Sequence, residues 1–293
     1  MLYGLPEIDG IVSLARYLRL SPTTVYRSAF FPRYRTVTVK AGRKTREIQI
    51  PSWRLRRIQR WILHNLLRPV PVDQHATAFR GGLGISPLTA NTTPHRDQVY
   101  FVKFDFENFF GTITVPRVAG VFKHLGYTGR GLDCLVRLCT YQGALPIGAP
   151  TSPALSNIVC YRLDRRIAGV VEPRGIVYTR YADDITLSAK NLDALNRAVP
   201  LVRKIFEEEG FRENRQKFRR MGPRVQRKVT GLILDPEQGF GIGRDRYRRL
   251  RAAVHRYQVR GTAAENLAGM LAYVKSVDEK RYQKLAKLYQ GSR

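Results

Sequence analysis

A chain of 293 residues with 43% hydrophobic side chains is long enough to bury one large core or several small ones. Its 51 Lys and Arg against 23 Asp and Glu give a formal net charge of +28, more than solubility requires, so a polyanion is the expected partner. Three cysteines without CxxC spacing argue against a disulfide scaffold, and no run of about 18 apolar residues or signal-like start argues for a membrane or for export; the expected setting is the reducing cytoplasm.

In chain order, residues 6–30 predict two short helices, the second announced by Ser21 as N-cap and Pro22 at the first helical position. Residues 34–51 alternate around "KAGRK" and predict a basic β-hairpin. An amphipathic helix follows, with Leu55, Ile58, Ile62 and Leu66 on one face and Arg54, Arg57 and Arg60 largely off it. From Phe79 to Pro94 the composition is that of a loop. "QVYFVKFDF" is apolar on both faces apart from Lys103 until Asp105, which predicts a central strand. Helical patterns cover about 115–142 and about 151–169. "VYTRYADDITLS" then reads as a hairpin, followed by a helix that Pro200 could kink and Gly210 stops. "RKVTGLILD" predicts a further strand, and about three helices close the chain from Arg244. The whole predicts an α+β fold.

The charge is uneven. Residues 1–70 and residues 211–260 each carry net +11. Arg predominates there and is interleaved with aromatics, which suits phosphate forks and base stacking better than a membrane surface.

In so basic a chain the adjacent acids Asp183 and Asp184 stand out at a hairpin tip. A solvated turn accounts for such a pair by itself, and a helix cap accounts for an Asp after a strand. Converging with Asp105, however, they would repel one another unless hard cations, Mg2+ or Mn2+, bound among them, which is the arrangement that in-line displacement at phosphorus needs.

These segments resemble the reverse transcriptases. "YADD" matches their YxDD signature and "FDFENFF" their first-carboxylate motif, with "LPIGAPTSPALSN" between the two and "EEEGFRENRQK" and "VTGLILD" after them, in family order. "NTTPH", Asn91 to His95, and "VTG", Val229 to Gly231, resemble further hallmarks of the bacterial retron enzymes, with Thr92 where Ala is usual.

The resemblance implies a right-hand polymerase: N-terminal helices and fingers over 1–98, with a fingers segment at about 116–144; a palm over 99–235 whose antiparallel sheet carries the YADD hairpin; and a helical thumb over 236–293. It implies two-metal nucleotidyl transfer with Asp105, Asp183, Asp184 and the carbonyl of Phe106 as ligands to two Mg2+ ions. Phe110 is implied as the ring that excludes a 2′-hydroxyl, with core packing as the other reading for Phe109 and Phe110.

For the nucleotide it implies a grip by Lys40 and Arg46, with Arg43 and Lys44 as neighbours that could serve instead. It also implies placement by Gly148, Ala149 and Pro150, and a leaving-group role for Lys217. Ile147 departs from the usual Gln, so the nucleotide would be placed there by shape and backbone. RNA contact is implied for Asn91, His95, Val229, Thr230 and Gly231, although His95 reads equally as an ordinary loop histidine. The helix bearing Arg246, Arg248, Arg249, Arg251 and Arg256 would track a backbone.

The implied partners are a cognate structured non-coding RNA, its RNA–DNA product (msDNA) begun from an internal guanosine 2′-hydroxyl, deoxynucleotides, and an effector protein in antiphage defence, with no membrane. Other compact bacterial reverse transcriptases, intron-encoded or diversity-generating, are the alternative. A non-catalytic nucleic-acid-binding protein, suggested by the helix-turn-helix look of "LARYLRLSPTTVYRS", is a weaker one because it needs no carboxylate triad.

Overall fold

A computed structural model describes residues 2–41, 44–235, 239–260 and 266–290. Two compact units emerge. The first comprises Met1–Ala76, Phe106–Arg166 and Ile205–Glu213, and the second Thr77–Asp105, Ile167–Lys204 and Asn214–Arg293.

In the first unit, α1 (Ile11–Leu18) and α2 (Pro22–Phe30) are the two short helices expected. The Ser21 Oγ accepts from the Thr24 amide at 3.2 Å, satisfying one of the donors that a helix start leaves unpaired. Strands β1 (Tyr34–Ala41) and β2 (Lys44–Pro51) pair antiparallel, from Tyr34 opposite Pro51 to Ala41 opposite Lys44. Helix α3 (Trp53–Ile62) buries Leu55, Ile58 and Ile62 together with Gln59. The Gln59 amide donates to the Tyr34 hydroxyl and to the Leu138 carbonyl, each at 2.9 Å, so this buried polar group ties α3 to the hairpin and to a later helix.

Elsewhere in this unit, the helical pattern expected over about 115–142 is made of two helices, α5 (Val115–His124) and α6 (Gly129–Cys139). Gly126 at φ +95° separates them, a backbone state that glycine adopts without a Cβ penalty. Helices α7 (Ser152–Val159) and α8 (Tyr161–Val171) follow, α8 running on into the second unit. All three cysteines are buried thiols outside any disulfide, and burial pushes the Cys134 and Cys139 thiols up to about 12.

The second unit holds a four-stranded antiparallel sheet in the order β4-β5-β3-β6, built from β3 (Tyr100–Asp105), β4 (Val177–Tyr181), β5 (Asp184–Ala189) and β6 (Arg219–Met221). Strand β3 is bonded on both edges, as its two-sided apolar pattern implies. Helix α9 (Leu192–Glu208) runs unbroken past Pro200 and enters the first unit at its end.

Two readings are corrected here. The Phe79–Pro94 stretch contains a six-residue helix, α4 (Pro87–Thr92), continued by a 3₁₀ turn to His95. Its start is capped by Ser86, whose Oγ accepts from the Leu88 amide at 3.3 Å; six residues are too few to show a helical period. "RKVTGLILD" is not one strand but a hairpin, β7 (Lys228–Val229) and β8 (Leu232–Asp235), with Val229 opposite Leu232. Its two turn residues, Thr230 and Gly231, both have positive φ (45° and 85°), as a type I′ turn requires.

Strand β9 (Gly239–Gly241) completes that small sheet. Helices α10 (Arg244–Arg260), α11 (Leu267–Val277) and α12 (Glu279–Gln290) then pack around Leu250, Val254, Leu271, Val274 and Leu285, with Leu232 and Ile242 in the same core. No helix among the described residues is long and apolar enough to cross a membrane.

Candidate active site

The three acids singled out from sequence come together on the four-stranded sheet. Antiparallel pairing sets Asp105, the last residue of β3, opposite Asp184, the first of β5. Tyr181 pairs with Asp184 across the hairpin, so Ala182 and Asp183 form a two-residue turn. Ala182 has φ +58°, a strained state for a residue with a Cβ. Because side chains alternate along a strand, Asp184, Thr186 and Ser188 of β5 share a face with Asp105, Lys103 and Phe101 of β3.

Two lysines offset this negative charge. The Lys103 Nζ lies 2.7 Å from Asp184 Oδ2, and the Lys217 ammonium pairs with Asp105 Oδ1. They do not fully compensate it. Burial raises the Asp183 carboxyl above its usual range and the neighbouring charge of Asp105 adds to the rise, with Lys217 acting against it. Burial likewise raises Asp184, partly offset by Lys103.

Among the described residues no group of three His, Cys, Asp or Glu stands close enough together to hold a metal ion as it is. The donor set nevertheless fits a hard divalent cation. It is built on carboxylate oxygens, and Asp183 and Asp184 are raised first by burial and further by the charge of Asp105, a repulsion that a cation among them would relieve.

Lys103 is a site residue that sequence reading missed as such. Its signal was available, as the one charge in an apolar strand, two residues and therefore one same-face step before Asp105.

Apart from Lys217, the expected nucleotide-side residues belong to the first unit. Phe106 and Phe109 are core residues, 2% and 4% exposed, stacked with Phe211, which settles which member of the Phe109–Phe110 pair is core. Phe110 is half-buried and lies edge-on to Phe109, with ring centroids 5.3 Å apart.

Arg46 sits opposite Val39 on the basic hairpin with its side chain exposed. Arg43 and the side chains of Lys40 and Lys44 fall outside the described residues. Gly148 packs against β2 so closely that a Cβ would lie 2.3 Å from the Gln49 carbonyl oxygen. The Ile147 amide donates to Gln49 Oε1 at 3.3 Å, while the Ile147 side chain is exposed. Ala149 is buried and Pro150 half-buried.

The expected RNA-contacting residues divide. Asn91, His95 and Val229 are fully buried, so in this conformation their side chains touch protein rather than RNA. His95 bonds through both ring nitrogens, Nδ1 to Ser188 Oγ at 2.6 Å and Nε2 to Thr179 Oγ1 at 2.8 Å. Thr230 and Gly231 are half-buried on the VTG turn. Gly231 lines an open concavity of about 1240 Å³ that is also edged by Arg244, Arg246, Arg249, Lys280 and Arg281. Arg246 stacks 4.3 Å over Tyr273, Arg248 pairs with Asp245 at 2.6 Å, and Arg251 and Arg256 are exposed.

Burial lowers the His95 pKa to about 3, with Lys103 contributing, so the ring is neutral in the folded protein. The unfolded chain, near 6.5, takes up the proton first as the pH falls. This part of the stability is therefore complete above about pH 6.5 and is lost toward pH 3. Urea unfolding at pH 7 and pH 5 is expected to show the wild type losing on the order of 2 kcal/mol more than His95→Gln over that interval; equal losses would contradict the neutral buried ring.

Comparison with known proteins bears on these features. Residues 39–234 match the family model described as reverse transcriptase (RNA-dependent DNA polymerase). The chain is 37% identical over 290 residues to the retron Ec86 reverse transcriptase of Escherichia coli, covering 96% of this chain and 89% of that protein. It is 34% identical over 314 residues to the retron Mx65 reverse transcriptase of Myxococcus xanthus, covering 97% and 72%. Among solved structures, telomerase from Candida albicans in complex with a fragment of telomeric RNA aligns with a TM-score of 0.56 at 11% identity. That likeness concerns the fold alone, over 87% of this chain and 55% of the telomerase chain, so this chain spans about half the telomerase's length.

Proposed function

Since the chain belongs to the retron reverse transcriptases and is an RNA-directed DNA polymerase with a right-hand fold, we propose that it copies a cognate structured non-coding RNA into single-stranded DNA. Synthesis starts from an internal guanosine 2′-hydroxyl and gives the branched RNA–DNA of msDNA. The register that sets Asp105 opposite Asp184, with Asp183 at the adjoining turn, is the observation that carries this reading.

Reverse transcriptases depend on divalent metal. Here Asp105, Asp183 and Asp184, with the Phe106 carbonyl next in the chain, would hold two ions, Mg2+ or Mn2+. When bound, these supply activation of the attacking hydroxyl and neutralisation of the leaving pyrophosphate.

The chain's own groups do the rest. Lys103 holds Asp184 in place along the sheet face. Lys217, beside Asp105, offers an ammonium to the departing pyrophosphate. Lys40 and Arg46 grip the triphosphate, a point charge and a planar fork meeting different oxygens. Gly148, Ala149 and Pro150 place the nucleotide by backbone and shape. Phe110, the half-buried member of its pair, closes the space that a 2′-hydroxyl would need.

In this reading residues 1–98, with about 116–144, form the fingers, 99–235 the palm and 236–293 the thumb. Thr230 and Gly231, with Arg246, Arg248, Arg249, Arg251 and Arg256, meet the RNA through phosphate and 2′-hydroxyl groups, since the deep groove of an RNA helix hides its base edges. Deoxynucleotides are the substrates, an effector protein in antiphage defence is a partner, and the reducing cytoplasm suits the three buried thiols.

Purified protein supplied with an RNA template, Mg2+ and deoxynucleotides should make DNA; failure on every RNA template tried would overturn the reading. Phe110→Val should raise ribonucleotide incorporation relative to deoxynucleotide by at least about tenfold. Unchanged sugar discrimination would remove Phe110 from its role.

A further inference from the structure

The buried NTTPH segment has a role that direct RNA contact does not describe. Its bonds run to two other motifs within the second unit. Toward the catalytic hairpin, His95 bridges both strands, reaching Thr179 on β4 and Ser188 on β5. The Thr179 hydroxyl also donates to the Asn91 carbonyl at 3.3 Å. Thr179 therefore accepts from His95, which fixes the proton on Nε2 and leaves Nδ1 to accept from the Ser188 hydroxyl.

Asn91 extends the brace. Its Oδ1 accepts from the Thr77 hydroxyl at 2.7 Å, and the Thr77 amide donates to the Arg180 carbonyl of β4 at 2.9 Å. Toward the other motif, the Thr92 hydroxyl donates to the Leu88 carbonyl at 2.8 Å and so accepts from the Thr230 hydroxyl of the VTG turn at 3.1 Å. The two short motifs thus meet each other.

We propose that Asn91–His95 is a strut joining the YADD hairpin to the VTG turn, with His95 as a positioning residue for Asp183 and Asp184. Ser188 and Asp184 lie on one face of β5, and the register places Thr179 on that same face of β4, opposite Thr186. A ring clamped to both strands from this face opposes any shear between β4 and β5. Such shear would tilt the two-residue turn bearing Asp183. The ring suits the task because it offers one donor and one acceptor at opposite ends and is neutral, so it adds no charge beside Lys103. Thr92 ties the same short helix to the VTG turn, so RNA seated at that turn would brace the hairpin.

The strut rests on Asp105, Asp183 and Asp184 being the catalytic carboxylates, and its test keeps the two claims apart. Steady-state extension of oligo(dT) on poly(rA) with dTTP, which needs no retron RNA, is measured for His95→Ala, His95→Gln and Asp183→Asn, together with primer–template affinity and the folded fraction of each. His95→Ala should lower kcat at least tenfold, with KM for dTTP and primer–template Kd within twofold of wild type. His95→Gln, which restores a donor and an acceptor, should recover most of kcat. Adding Ser188→Ala to His95→Ala should cause no further loss, because the ring that its hydroxyl meets is already gone.

A primer–template Kd weakened tenfold at unchanged kcat would overturn the strut in favour of a contact role. A kcat loss that only tracks the unfolded fraction would overturn it in favour of plain stability. If His95→Ala does not fold, the Thr179→Val, Ser188→Ala pair must show the same tenfold kcat loss or the strut fails. If Asp183→Asn still synthesises, the carboxylate assignment fails instead.

Discussion

Asp183→Asn is expected to lower DNA synthesis by a factor on the order of 10³ or more while leaving RNA affinity within a few-fold of wild type. The substitution keeps the shape of the side chain and the two-residue turn but removes one of three charges. Its stability signature should have the opposite sign to its activity. The Asp183 carboxyl is raised by burial and by Asp105, so its ionised form is held at a cost in the protein alone. Asn avoids that cost, and the melting temperature should stay level or rise. A variant that loses activity and melts earlier would point to unfolding rather than to the missing charge.

Gly148→Ala is expected to have the next largest effect. The new Cβ would stand 2.3 Å from the Gln49 carbonyl oxygen and 2.9 Å from its carbon, and both are backbone atoms of β2. A flexible side chain could step aside, but β2 is held along its length by its pairing with β1. Relief must come from moving the hairpin or the loop, at about 2–4 kcal/mol. The hairpin bears Lys40 and Arg46, so KM for deoxynucleotides should rise at least about tenfold in the protein that does fold. Thermal melting and nucleotide titration of the same preparation test both parts. An unchanged melting temperature would show that the approach is looser than 2.3 Å implies.

How much of this was legible in the sequence depended on how local each cause is. The β3 strand and the YADD hairpin could be read because a two-sided apolar run ending in an acid, and adjacent acids between two strand-like runs, each lie within a dozen residues. Ser21 and Pro22 announced α2 for the same reason. Helix α4 was hidden by its length and by Thr, Asn and Pro that also compose loops. The VTG turn was hidden by its two flanking strands, which read as one.

Burial was the least legible property of the candidate site. His95 looks like a loop histidine because its partners, Thr179 and Ser188, stand 84 and 93 residues away. Likewise, nothing near Gly148 in the chain announces that the β2 backbone passes against it. Lys103 shows a middle case, since its charge in an apolar strand was visible but its partner Asp184, 81 residues on, was not.

The central claim is that these carboxylates extend an internal hydroxyl of a particular RNA. The most direct measurement is of the nucleic acid that copurifies with the protein from cells carrying its native gene neighbourhood. The predicted result is RNA joined to single-stranded DNA through a 2′–5′ linkage, released as linear DNA by a debranching enzyme and absent with Asp183→Asn. DNA begun from a linear 3′ end, indifferent to debranching, would contradict it.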